Sequence, residues 1–106
     1  MKQFKLADSG ERGWFVGDFA EAVFRTTDFE VGLQIHPRSY CASHYHIEIT
    51  EITVVVSGKV LTNGIVFTAG KGYILYPNDI SQMEYLEETT IVTIKTPSIP
   101  TDKYLL

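Results

Sequence analysis

The chain of 106 residues has one cysteine, Cys41, so it cannot form an internal disulfide. That suits a reducing compartment, and the expectation is a cytoplasmic protein in which Cys41 is a small buried filler. Long hydrophobic stretches are also missing. Apolar runs such as Val54–Val56 and Ile65–Phe67 are far too short to span a bilayer, and the opening MKQFKLADSG has no continuous apolar segment like that of a signal peptide. No block of like charge accompanies the net charge of −4, so nothing resembles an electrostatic footprint for nucleic acid. Neither G-x-G-x-x-G nor a P-loop occurs, which removes the usual phosphate cradles. Nor does a Ser/His/Asp set or a separate carboxylate pair offer metal-free catalysis. Helical spacing of apolar residues is rare.

What the chain does contain is strand and turn chemistry. Short runs of Val, Ile, Thr, Tyr and Phe are separated by Gly, Pro, Asn and Asp. The pattern predicts strands at 14–16, 21–25, 30–36, 40–47, 51–56, 59–62, 65–68, 73–76, 82–86 and 90–95. Asn63-Gly64, between KVLT and IVFT, is the clearest hairpin signal, because a two-residue turn needs positive φ at both positions. Ser57-Gly58 and Ala69–Gly72 mark further reversals. Ten short, evenly spaced strands predict an all-β sandwich or closed barrel, one domain over residues 1–106. Residues 97–106 differ in character. Pro97 and Pro100 forbid central-strand pairing, so this tail is expected to be extended, along the barrel or across a partner subunit. Small barrels often form symmetric pairs, and a homodimer is expected.

Residues 44–58, HYHIEITEITVVVSG, carry the chemistry. In a strand His44 and His46 face the same way, with Cα atoms about 7 Å apart, so both imidazoles can converge on one ion. A third ligand must come from elsewhere. In a straight strand Glu48 shares their face but lies about 13 Å from His44, too far to meet the same ion. Glu51 has the wrong parity unless residues 47–50 bend, and IEIT contains no turn residue that would demand a bend. Spacing alone leaves the choice between the two glutamates open.

The pattern His-x-His-x4-Glu-x6-Gly, met by His44, His46, Glu51 and Gly58, resembles the first motif of the cupins. The resemblance implies a double-stranded β-helix, or jelly-roll, barrel, in which the histidines end one strand and the glutamate opens the next. It therefore favours Glu51. The second cupin motif, Gly-x5-Pro-x-Gly-x2-His, is met only in part. Pro77 is in place, but the glycine positions hold Lys71 (flanked by Gly70 and Gly72) and Asp79, and the histidine position holds Gln82; Arg38 stands where a glycine often precedes the first histidine. The resemblance implies a divalent transition metal (Fe, Zn, Ni, Mn or Cu) on His44, His46 and Glu51, with Gln82 as a weak fourth ligand. Two histidines and one carboxylate suit Fe(II), and imidazole also suits Zn, Ni and Cu. Tyr76, directly before Pro77, is the candidate for contact with a small oxygen-rich substrate. His36 and the other tyrosines are read as packing residues, and Asp79 as a turn residue. Family members span dioxygenases, isomerases, decarboxylases and lyases, so the expected function is a metal-dependent small-molecule cupin. The alternatives are a non-catalytic binding barrel and a metal-free interaction subunit.

Overall fold

The computed structural model describes residues 1–106. A short 3-10 turn at Leu6–Asp8 precedes eleven strands: β1 (Trp14–Gly17), β2 (Phe24–Arg25), β3 (Glu30–His36), β4 (Cys41–Tyr45), β5 (Thr50–Ser57), β6 (Lys59–Thr62), β7 (Ile65–Thr68), β8 (Gly72–Leu75), β9 (Ser81–Tyr85), β10 (Thr89–Thr96) and β11 (Tyr104–Leu105). They form a six-stranded sheet in the order β2-β1-β3-β10-β5-β8 and a five-stranded sheet in the order β11-β4-β9-β6-β7. The two eight-residue strands, β5 and β10, lie side by side within the six-stranded sheet, flanked by β8 and β3. No helix is long and apolar enough to cross a membrane.

Each predicted strand region contains a strand, with shifts that have local causes. The region predicted at 21–25 shrinks to Phe24–Arg25, and the one at 40–47 stops at Tyr45. Asn63 and Gly64 adopt φ of 49° and 82°, and the hairpin they close pairs Thr62 with Ile65 and Lys59 with Thr68. Gly58 has φ of 96°, and a Cβ there would lie 2.4 Å from the Glu88 carbonyl oxygen. Both its conformation and its crowding therefore require glycine. The C-terminal segment returns to its own barrel, where Tyr104 pairs with Tyr45 and Leu105 with His44.

Register sorts the interior into two halves. Across β5 and β10, Val55 faces Ile91, Thr53 faces Thr93, and Glu51 faces Lys95. Side chains on one sheet face recur every second residue. The rungs therefore run from an apolar pair, through a hydroxyl pair with Oγ1 atoms 3.1 Å apart, to a charged pair. The apolar half holds the core of Val55, Val60, Tyr85 and Ile91, with Phe67 and Met83 packed against it. The polar half holds buried His44, His46, Glu51, Glu30 and Lys95.

Candidate metal centre

His44 and His46 both point inward and are buried, although β4 ends between them. The chain then turns at Ile47–Ile49, where nothing in the local sequence calls for a turn. The cause lies more than fifty residues away. The Asp102 carboxylate accepts the backbone N–H groups of Ile47 (3.0 Å), Glu48 (2.8 Å) and Ile49 (3.1 Å). Three consecutive donors aimed at one carboxylate close the bend from outside, and the fully buried Ile49 pins it to the interior. A further bond from Asn78 N–H to the His46 carbonyl, 2.7 Å, ties the bend to the YPND turn. After the bend β5 resumes at Thr50, with Glu51 facing in and Glu48 exposed.

The three candidate ligands meet. Glu51 Oε1 lies 3.4 Å from His44 Nε2 and 3.2 Å from His46 Nε2, and one ligand atom from each residue falls within 4.8 Å of the others. The other nitrogen of His46, Nδ1, contacts the backbone carbonyl of Asp102. A carbonyl only accepts, so Nδ1 carries the proton, and in the neutral ring Nε2 turns a lone pair toward the Glu51 oxygen. Two electron-rich atoms at that distance repel each other unless a cation lies between them. An ion held about 2.0–2.1 Å from each of two ligands would set them about 3.0–3.4 Å apart, which is the spacing seen here. The residues therefore fit a divalent metal. Burial pushes the Glu51 carboxyl up, but the adjacent His44 and His46 rings and the charge of Lys95 outweigh it, holding the group well below the usual carboxylate range. Glu51 is thus ionised, as a ligand must be.

A cavity of about 1130 Å³ opens beside His44 and Glu51. Lys95, Glu30, Trp14, Thr53 and Tyr73 are among the residues that line it. Burial pulls Lys95 below the ordinary lysine value, and Lys103 adds to this, while Glu51, Glu30 and Asp102 oppose it. Burial pushes the Tyr73 hydroxyl up to about 12, so it stays protonated; it donates to Met83 Sδ at 3.1 Å.

Neither a protein-family model nor a curated protein matches the sequence. Solved structures do match. A Klebsiella pneumoniae protein with a double-stranded β-helix domain superposes at TM-score 0.70 with 21% identity, over 98% of this chain and 90% of that one. A Bacteroides fragilis cupin protein matches at 0.60 with 22% identity, over 74% of each chain. The DMSP lyase DddQ from Ruegeria pomeroyi matches at 0.72 with 9% identity, over 97% of this chain and 59% of that one. The chain has the cupin fold.

Within this cupin barrel two sequence-predicted residues lie away from the metal candidates. In β9 Ser81, Met83 and Tyr85 face in, so Gln82 faces out and is exposed; only its backbone is engaged, by the Asn63 side chain at 2.8 Å. The structure does not bring Gln82 to the triad, because the strand register is one residue away from the motif alignment. The cross-strand partner of His44 is Ser81. It is fully buried, and its Oγ, like His44 Nδ1, has no hydrogen-bond partner. Tyr76 is 60% exposed and does not line the cavity, since it follows the inward Leu75 at the strand end; Asp79 Oδ2 holds its N–H at 2.9 Å, as a turn residue does. Aromatic residues reach the interior instead through Tyr73, Tyr85 and Trp14. His36 packs between Tyr40 and Tyr85, with ring centroids 5.0 and 4.6 Å away. Cys41 is exposed rather than buried, because the parity that turns His44 inward turns Cys41 outward. Sequence reasoning missed Lys95, although TTIVTIKT places it at the same parity as the buried Ile91. Asp102 left no such signal.

Proposed function

We propose that this protein holds a divalent transition metal (Fe, Zn, Ni or Mn) through His44, His46 and Glu51, and acts on a small, oxygen-rich molecule in the adjoining cavity. One observation carries the reading. The Asp102 carbonyl fixes the proton of His46 on Nδ1, which aims the Nε2 lone pair at an ionised carboxylate oxygen 3.2 Å away. The bound ion would supply Lewis acidity or activation of dioxygen. The chain's own residues hold and orient the ligands and line a cavity large enough for a small molecule. Other proteins of this fold are named as a DMSP lyase, an ectoine synthase and a sugar phosphate isomerase, which supports small-molecule chemistry but leaves the reaction class open.

Elemental analysis of protein purified without added metal tests the reading. Near-stoichiometric transition metal is expected in the wild type and its loss in His46→Ala; equal trace amounts in both would refute it. A non-catalytic binding barrel is the second reading, motivated by Ser81 standing opposite His44 in place of a third imidazole. Reversible binding of a sugar acid, keto acid or catechol without oxygen uptake or turnover would favour it.

A further inference from the structure

Lys95 is 8% exposed and lines the cavity, yet no carboxylate comes within 4.0 Å of its ammonium. It stands in register between Glu30 and Glu51, each of which has an oxygen engaged elsewhere. Glu30 accepts the Ser98 hydroxyl at 3.1 Å, and Glu51 faces the two histidines. The ammonium sits instead over the Trp14 ring, 4.6 Å from its centroid. Gly32 makes room for that ring, since a Cβ there would lie 2.7 Å from it. A buried ammonium with no carboxylate in direct contact is costly, and an anionic visitor would supply that contact. Lys103, exposed, lines the same cavity and adds a second positive group. With a divalent ion on the triad, the two carboxylates and one ammonium leave a positive charge unbalanced. We infer that the small molecule carries a carboxylate, bound by Lys95 on the Trp14 face beside the triad. This rests on the metal-dependent reading above and narrows its substrate class.

Calorimetric titration of the Zn²⁺-loaded protein with glycolate, malonate and succinate, each against its amide, tests the inference. At least one acid is expected to bind tenfold or more tightly than its amide. Lys95→Met, which keeps the apolar stem on Trp14, is expected to erase that preference while leaving Zn²⁺ affinity within about threefold and melting no lower than the wild type. Overturning results are no preference for acid over amide in the wild type, an unchanged preference in the variant, or a lower melting point showing Lys95 to be structural. Failure of the wild type to take up Zn²⁺ would instead remove the metal reading, so the two failures are distinguishable.

Discussion

His46 illustrates how one side chain is placed by both of its nitrogens. Its Nδ1–H is bound to a backbone carbonyl, and this second contact frees Nε2 as a donor to a metal. Gln82 shows the converse. One residue of register turns it to solvent, and no side-chain chemistry can recover the lost position. Gln82→His is therefore expected to leave metal affinity within about twofold of wild type when measured by competition with a chromophoric chelator. A tenfold or larger increase would show that position 82 reaches the ion and that the inward assignment of Ser81 is wrong. Glu51 should behave differently. Glu51→Gln keeps the shape but removes the anionic ligand, and metal-induced thermal stabilisation should disappear with it.

At the scale of the element, the bend between β4 and β5 depends on the tail. The Asp102 carboxyl is pushed up by burial but held below the usual aspartate range by the N–H groups of Glu48, Ile47 and Ile49, with the neighbouring His46 ring contributing. A carboxylate depressed in the folded state contributes stability above its unfolded value, about 3.9, and loses it as pH falls through the lower folded value. Wild-type stability should therefore fall with acid below about pH 4. Asp102→Asn, whose amide cannot ionise, should flatten the part of that slope due to this residue. Asp102→Ala leaves three N–H groups without their acceptor and should destabilise by about 1–3 kcal/mol in urea titrations at neutral pH, with metal affinity falling as well. Equal stability of Asp102→Ala and wild type would mean the bend holds itself.

The same element marks how far the sequence could be read. Alternation and turn residues located the strands, and Asn63-Gly64 defined its hairpin, because these signals are local. The His-x-His pair was legible for the same reason. Whether Glu48 or Glu51 completes the triad was not legible from spacing, because the deciding carboxylate is Asp102, distant in sequence and brought near only by the folded tail. Lys95 lay between these cases. Its parity along β10 was readable, but its lack of a carboxylate in direct contact appears only when neighbouring strands are in register.

For the molecule as a whole, the division into an apolar and a polar half limits how much burial can contribute. The buried hydrophobic residues number six, among them Val55, Val60 and Tyr85, whereas twelve buried residues are polar or charged. Burying polar groups stabilises only when each is satisfied, and the triad brings a carboxylate against a lone pair with no cation supplied by the chain. A metal that binds the folded state alone adds stability as the logarithm of its concentration over Kd, about 2.7 kcal/mol at one hundred times Kd. For a domain of this size each kcal/mol moves Tm by about 4–8 °C, so the expected shift is roughly 10–20 °C. Thermal scans with and without Zn²⁺ should show that rise in wild type, little of it in His46→Ala, and its reversal by chelator. Because the ion and the apolar core occupy opposite halves of the same β5–β10 ladder, a core change such as Val55→Ala should lower Tm with and without metal by similar amounts. A metal-induced shift that collapsed in Val55→Ala would mean the two halves are not independent.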